Sequence, residues 1–284
     1  MHQFLKKAAI VFACFASVAG LCSPAGAYVL QGPHVLQLMA GNLGRARTLL
    51  VSQRLNLVNT PAQKDPVEFD ETVRYVFPEK FRSDISAENV QRIHLVSDGD
   101  ALTVMDGKLA ADPETVFDRY TDLLLYRNRK TLVKRLLRLG VNAMVSSLGR
   151  YNGRPAYVVG AEYPDETVPQ VWIDKETFMP FRWVLTVSNS ESGPDILEAR
   201  YLEWAKSDTV WYPMRVEFYR NDLLVREILV NSVVVNPSFS EDLFDARHLR
   251  TIYPPDAAVP PGKNDTERMS EVQKTIEEFK KKYE

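Results

Sequence analysis

Phe181-Arg182-Trp183-Val184-Leu185-Thr186-Val187-Ser188 is the stretch that decides the fold class of this chain. Its odd positions are apolar and its even positions are mostly polar, which is the pattern of a strand with one buried and one wet face. The segment Met214-Arg215-Val216-Glu217-Phe218 repeats the pattern. Both segments therefore predict strands of an antiparallel sheet whose apolar face needs a cover.

Turn dipeptides punctuate the chain on both sides of these segments. They are Asp98-Gly99, Asp106-Gly107, Asn152-Gly153 and Asn221-Asp222. Such pairs accept positive φ and therefore suit tight hairpins. From Val51 onward, the sequence predicts a mainly β (α+β) protein built on a long antiparallel meander rather than on alternating βα units.

Three segments have helical periodicity and are candidates for the cover of the sheet. They run from about Pro33 to Leu43, from Asp112 to about Arg127, and from Lys130 to Leu139. Asp112 followed by Pro113 is typical of a helix start, and Gly140 is typical of a position just after a helix end. We therefore expect helices to lie over one face of the sheet.

The N-terminus has the layout of a cleavable signal peptide. Lys6 and Lys7 precede an apolar run from Ala8 to Leu21, and Ala25-Gly26-Ala27 forms a small-residue cleavage site. The run is shorter than the roughly 20 apolar residues that a membrane-spanning helix needs. We therefore expect cleavage before Tyr28 and a mature protein in the periplasm.

Both cysteines, Cys14 and Cys22, lie inside this signal, so the mature chain is expected to have none. Disulfides, thiolate metal sites and cysteine nucleophiles are then excluded. Lipidation of Cys22 is disfavoured because Leu21 stands where lipoprotein processing needs a small residue. The formal net charge of −2 becomes about −4 without the two lysines of the signal, and this gives no signature of nucleic-acid binding.

The C-terminal region changes in composition after about Leu249. Its prolines at 254, 255, 260 and 261 predict an extended linker over residues 250–263. Beyond the linker, Asn264 and Glu267 have the spacing of a capping box for a charged amphipathic helix over residues 264–284. The predicted organisation is therefore a signal peptide over 1–27, one β domain over 28–249, the linker and the C-terminal helix.

Motifs for catalysis are missing from the sequence. It has no HExxH, G-x-S-x-G, P-loop or G-x-G-x-x-G, and no two of its histidines are spaced as i, i+4. His94 lies within a strand pattern and is interpreted as a structural or surface residue. Carboxylates such as Glu71, near a strand, and Asp165, near a turn, are interpreted as solvated groups. We therefore expect a protein that is not an enzyme and that needs neither a cofactor nor a metal.

One cluster of basic residues stands out around the third predicted helix. Its lysines and arginines at 130, 134 and 138 are spaced to stack along one helix face. The cluster is a candidate contact for anionic lipid head groups or for an acidic partner, and its plainer interpretation is the wet side of an amphipathic helix. Its members are Arg127, Arg129, Lys130, Lys134, Arg135 and Arg138.

Three local sequence motifs, in this chain order, resemble those of a known family. They are Phe77-Pro78-Glu79-Lys80-Phe81-Arg82, then Leu95-Val96-Ser97-Asp98-Gly99-Asp100-Ala101-Leu102, and then Val171-Trp172-Ile173-Asp174-Lys175-Glu176-Thr177-Phe178-Met179-Pro180-Phe181-Arg182. Over residues 33 to 245 the chain resembles the superfamily of periplasmic outer-membrane lipoprotein-sorting proteins, the lipoprotein carrier and receptor (LolA/LolB-like) group. The third motif is the most specific of the three.

This resemblance implies an unclosed, strongly curved antiparallel half-barrel that is lidded by helices and that shelters acyl chains in an apolar hollow. The expected function is therefore that of a periplasmic carrier of a lipoprotein or lipid. We expect it to be a monomer, and an envelope membrane protein is a candidate partner. Strand alternation gives the candidate cavity residues Leu55, Leu57, Tyr75, Phe77, Phe81, Phe181, Trp183, Leu185, Val216 and Phe218. A register error of one residue would turn a whole set of them outward.

The chain also departs from the family in two ways. In the best-known carrier, an arginine stands just before the proline of the first motif and forms a hydrogen bond to the lid. Here Phe77 occupies that position. The linker and the C-terminal helix are additions to the small carrier. An alternative is therefore a regulatory or scaffolding module that binds a protein partner through the C-terminal helix and the basic helix face, and an enzyme with an unrecognised site is a third possibility.

Overall fold

The computed structural model describes residues 29–58, 67–87, 90–190 and 193–256. The predicted signal peptide and the predicted C-terminal helix lie outside these residues. Thirteen strands form one antiparallel sheet in the order β6-β5-β4-β3-β2-β1-β13-β12-β11-β10-β9-β8-β7. The strands are Thr48–Leu57, Val67–Val76, Lys80–Ala87, Val90–Ser97, Asp100–Met105, Lys108–Leu109, Asn142–Tyr151, Arg154–Gly160, Gln170–Asp174, Pro180–Ser190, Gly193–Ser207, Val210–Arg220 and Leu223–Val235, for β1 to β13 in chain order.

The sheet is curved but does not close into a barrel, because β6 and β7 remain as its two edges. The chain runs outward from β1 to β6, crosses to the opposite edge and returns from β7 to β13, which pairs with β1 along Leu49 to Leu57. This topology confirms the predicted mainly β half-barrel. The predicted turns at Asp98, Asp106, Asn152 and Asn221 all have positive φ and join neighbouring strands.

Within the described residues, four α-helices and two 3₁₀ helices accompany the sheet. The α-helices are α1 at Gly32–Asn42, α2 at Asp122–Leu125, α3 at Arg129–Arg138 and α4 at Ala246–Ile252, and the 3₁₀ helices are Val116–Thr121 and Glu241–Phe244. The first and third predicted helices are confirmed as α1 and α3. Asn128 caps α3 by accepting hydrogen bonds from the backbone of Lys130 and Thr131, and Gly140 follows it with φ of 85°.

The second predicted helix is wrong in its start and in its type. It begins after Thr115 instead of Asp112, as the 3₁₀ helix Val116–Thr121, and only a single α-helical turn follows. The cause is Asp118, whose carboxylate accepts hydrogen bonds from the backbone N–H and the hydroxyl of Thr115 at 2.8 and 2.7 Å. Because Asp118 is also paired with the buried Arg92 at 2.7 Å, the helix start is held at this point.

The C-terminal described residues cover the outer face of the sheet near β6. Phe244 and Leu249 pack on Ile93 and Leu95 there. Pro255 forms a bridge to Leu109, so the chain continues along the edge as far as residue 256. The boundary predicted after Leu249 thus falls inside α4, because the apolar side of this helix has a place on the outer face.

Candidate functional site

The concave face of the sheet and the helices above it enclose one apolar interior. Most of the predicted cavity residues lie in this single cluster, and Phe77 packs against it half-buried. The fully buried members among them are Leu55, Tyr75, Phe81, Trp183, Leu185, Val216 and Phe218. The sequence pattern therefore identified the inward face on β1, β2, β3, β10 and β12.

Phe181 was assigned to the wrong face. It lies in a separate cluster on the outer face of the sheet, with Trp172 and Val158. The register between β9 and β10 shifts between Pro180 and Arg182, which is a β-bulge at Phe181. A bulge adds one residue to a strand, so the alternation that correctly places Trp183 inside fails one step before it.

Leu57 lies at the end of β1 and marks the rim of the interior. It is half-buried and does not belong to the packed cluster. It pairs with Arg226 of β13 on one side and with Val67 of β2 on the other. The interior therefore has a deep part around Trp183 and a rim near Leu57.

Helices close the interior with apolar side chains. The closing residues are Val35, Leu36 and Met39 of α1, Val116 and Tyr120 of the 3₁₀ helix, Leu123, Leu124 and Leu125 of α2, and Leu132 and Leu136 of α3. These side chains and those of the concave sheet face belong to one buried apolar cluster, so the helices pack directly on the sheet.

Arg127, between α2 and α3, connects this cover to the sheet. Its guanidinium lies 4.1 Å from the ring centroid of Phe77 and donates hydrogen bonds to the carbonyl oxygens of Gly44 and Leu124 at 3.0 and 3.1 Å. Burial lowers the pKa of Arg127 to about 10, so the side chain is still cationic at neutral pH. The residue before Pro78 is therefore the aromatic Phe77, and the arginine that contacts it, Arg127, belongs to the cover.

A line of polar side chains crosses the otherwise apolar interior. Gln53 donates hydrogen bonds to the Glu71 carboxylate at 2.7 Å and to the Tyr120 hydroxyl at 3.2 Å. Ser83 donates to the other oxygen of Glu71. The interpretation of Glu71 as a solvated carboxylate is therefore wrong, because it is only 4% exposed. One signal was present in the sequence, since Gln53 stands between Val51 and Leu55 on the apolar side of β1.

Two tyrosines add a second polar contact inside. The hydroxyls of Tyr75 and Tyr212 lie 3.0 Å apart. Burial raises the pKa of both phenols above their usual value, so they remain neutral donors and acceptors. The Tyr201 hydroxyl donates to the carbonyl oxygen of Tyr120 at 2.9 Å, which ties the 3₁₀ helix to β11.

The basic cluster divides into inward and outward members. Arg127 contacts Phe77, and Arg135 is held between Glu114 and Asp122. Burial opposes the charge of Arg135, but the two carboxylates outweigh it and raise the pKa of Arg135 above its usual value. These two arginines are therefore internal, and the prediction that they contact a membrane or partner does not fit their position.

The outward members line a shallow groove between α1 and α3 with a volume of about 770 Å³. Leu137, which is 49% exposed, lies among them. The groove is lined by Pro33, Arg129, Lys130, Val133, Lys134, Leu137 and Arg138. Within the described residues, no carboxylate forms an ion pair with the three cations at 130, 134 and 138, so this surface is positively charged.

Comparison with solved structures identifies the fold. The LolA superfamily protein from Nitrosomonas europaea is similar with a TM-score of 0.51 and 12% identity, over 78% of this chain and 100% of that one. A domain described as an outer membrane lipoprotein-sorting protein, from Vibrio parahaemolyticus, gives 0.49 and 9% over 77% and 97%. A DUF1329 family protein from Desulfovibrio piger gives 0.48 and 10% over 77% and 98%.

The chain thus has a LolA-like fold. No protein-family model matches it, and no curated protein matches it in sequence. None of the helices in the described part of the chain is long and apolar enough to cross a membrane.

Proposed function

We propose that this protein is a non-catalytic periplasmic carrier that shelters an acyl chain of a lipoprotein or lipid between the concave sheet face and its helices. The observation that carries the proposal is the nature of the cover. The apolar concave face is closed by α1, α2, α3 and one 3₁₀ helix instead of a second sheet. Short helices can separate from a sheet without breaking any strand ladder. The LolA-like fold supports the same use.

A buried ion pair and several hydrogen bonds hold this cover in place. They include the pair of Asp118 with Arg92 of β4 and the hydrogen bonds of Arg127 to Gly44, of Gln53 to Tyr120 and of Tyr201 to Tyr120. The contacts of the buried leucines of the cover with the sheet are apolar and non-directional, so an acyl chain can replace them one methylene at a time. We therefore expect the cover to pack on the sheet when no cargo is bound and to move away from it when an acyl chain is bound.

The magnitudes suit reversible binding. Burying ten methylenes of a chain contributes roughly 8 kcal/mol, and each leucine displaced from the cover costs roughly 1.5–3 kcal/mol. Association itself costs about 4 kcal/mol or more in lost freedom. The difference is small, which is what a carrier that must also release its cargo requires.

Contact quenching of tryptophan tests which face receives the chain. Trp183 is fully buried inside, and Trp172 is equally buried on the outer face, so the two form a matched pair. Two variants are made, each keeping one of these residues and having phenylalanine at the other three tryptophans. Palmitic acid brominated along its chain is then titrated into each, with thermal melting as the check of folding.

We expect saturable quenching in the variant that retains Trp183 and several-fold weaker quenching in the one that retains Trp172. Bromine quenches at contact, so the difference reports the face directly. Equal quenching of both tryptophans, or quenching of Trp172 alone, would show that the chain does not enter the concave interior. If brominated lipids quench neither Trp183 nor Trp172, the proposed carrier function is wrong.

The second candidate function is a regulatory or scaffolding module that binds a protein partner. The unpaired cations and exposed Leu137 of the α1–α3 groove favour it, together with the C-terminal helix predicted from the sequence. Truncation after Pro261 separates the two functions. A carrier keeps its lipid affinity after the cut, whereas a module of this kind loses its partner.

A further inference from the structure

Arg226 of β13 is an unusual residue of the concave face. It is only 9% exposed, and its Nε atom is buried without a hydrogen-bond partner. Its guanidinium carbon lies 5.3 Å from the ring centroid of Phe218 and 5.5 Å from that of Phe117. No residue of the described chain forms an ion pair with it. Burying a charge without a partner is energetically costly, so the position of this cation requires an explanation.

The carboxylates whose fields act on Arg226 are already bonded to other groups. They are Glu71 and Asp118. Glu71 accepts from Gln53 and Ser83, and Asp118 accepts from Arg92 and Thr115. Their charges moderate the cost of burying Arg226, but its own hydrogen-bond donors are not used by them.

The position of Arg226 relates it to the interior and to its rim. In the sheet it pairs with the half-buried Leu57 on β1 and with Phe218 on β12. Ile228, two residues further along the same face, is fully buried in the apolar cluster. A group bound at Arg226 would thus lie at the end of β1, with the deep apolar interior directly beyond it.

We propose that Arg226 binds the anionic head group, a carboxylate or a phosphate monoester, of an amphiphile whose acyl chain lies in the interior. This inference rests on the proposed carrier function and adds a choice of ligand class to it. An arginine presents a planar fork of donors that matches both anions. Phe117 and Phe218 flank the fork and keep water away from it, which strengthens the hydrogen bonds that the anion would make.

Affinities for three ligands with the same chain test this choice. Palmitate, monohexadecyl phosphate and hexadecanol carry a carboxylate, a phosphate and a hydroxyl on sixteen carbons. Each is titrated against the neutral probe N-phenylnaphthylamine bound to the secreted protein at pH 7.5. We expect at least one of the two anionic ligands to bind about tenfold more tightly than the alcohol, since a hydrogen bond to a charged group typically contributes that much.

Two variants of Arg226 and one control complete the experiment. Arg226→Gln should bind all three ligands about equally, with its hexadecanol affinity unchanged, and Arg226→Lys should retain part of the preference. Arg54→Gln is the control because Arg54 lies on the neighbouring strand, is exposed and pairs with Glu68 at 3.5 Å. It removes the same charge from the outer face and should keep the full preference.

The outcomes separate this inference from the function on which it rests. Equal affinity of the wild-type protein for anions and alcohol, or an anion preference that survives in folded Arg226→Gln, would overturn the role of Arg226 while leaving the carrier function intact. If the same preference is lost in Arg54→Gln, the effect is one of net charge and the inference is also wrong. Failure of all three ligands to bind would remove the carrier function and the inference together.

Discussion

Arg127 is the residue whose contacts bear most directly on opening. It combines a cation–π contact with Phe77 and hydrogen bonds to the backbone oxygens of Leu124 and Gly44. Desolvated cation–π contacts and charged hydrogen bonds each contribute on the order of 2 kcal/mol. Its removal should therefore weaken closure without damaging the apolar core.

We predict that Arg127→Gln raises the rate of amide hydrogen exchange in α2 and α3 by about tenfold or more, while exchange in β11 and β12 is unchanged. Arg129→Gln is the matched control, because within the described part of the chain the Arg129 side chain has one hydrogen bond, to the Gln37 side chain at 3.2 Å on the exposed surface. If both variants exchange alike, Arg127 does not hold the cover closed.

His94 gives the protein a calculable response to acid. Its ring is buried and hydrogen-bonded to the Thr103 hydroxyl at 2.9 Å, which confirms the structural interpretation of this residue. Burial lowers the pKa of His94 to about 4 from its ordinary value of 6.5. Between these two values the unfolded state binds a proton that the folded state does not, so stability falls as the pH falls.

We predict that His94 contributes a loss of roughly 3 kcal/mol in the free energy of unfolding as the pH drops from 6.5 to 4. The contribution is fully present above pH 6.5. His94→Asn should flatten this part of the pH profile relative to the wild-type protein, measured by urea unfolding at several pH values. Parallel profiles for the two proteins would show that His94 does not titrate in this way.

For individual strands and helices, the periodicity of the sequence predicted the buried faces well, whereas it did not predict the bulge at Phe181 or the start of the 3₁₀ helix. Strand alternation located the inward face of β10 and β12 because side chains on a strand alternate between faces. It failed at Phe181, where a bulge depends on the pairing of β9 with β10 and leaves no mark in β10 alone. Likewise, the start of the 3₁₀ helix depends on the pair of Asp118 with Arg92, which are far apart in the sequence.

The helix α3 carries a prediction of its own. Lys130, Lys134 and Arg138 face outward next to exposed Leu137, and a basic residue near an anionic membrane contributes about 1 kcal/mol. Replacing all three by glutamine should lower binding to vesicles of phosphatidylglycerol and phosphatidylethanolamine by about a hundredfold, measured by co-sedimentation at low salt. Binding to vesicles of phosphatidylcholine alone should be weak in both proteins.

The control for α3 removes the same charge elsewhere. Lys175, Lys206 and Arg247 are exposed residues outside the α1–α3 groove, and their replacement by glutamine should reduce binding far less. If the two triple variants lose affinity equally, net charge explains the effect. If the wild-type protein does not bind anionic vesicles, the groove is left to a protein partner.

For the complete sheet and its cover, the sequence predicted the class of fold correctly but predicted the contents of the interior only in part. The order of turns and strands implied the half-barrel, because each turn is encoded locally. The polar groups inside, Gln53, Glu71 and Arg226, were not foreseen, since their burial follows from strands that meet only in the folded sheet. Gln53 offered a sequence signal, whereas Arg226 is recognisable only from its missing partner.

The proposed function requires an acyl chain in the concave interior. Native mass spectrometry of the protein purified without detergent from the cells that naturally produce it, followed by organic extraction of the bound species, detects such a chain directly. We predict an acylated ligand or lipoprotein at a ratio close to one per chain, carrying an anionic group if Arg226 acts as proposed. If the protein has a ligand-free mass and also binds neither palmitate nor hexadecanol when they are added, the proposed function is contradicted.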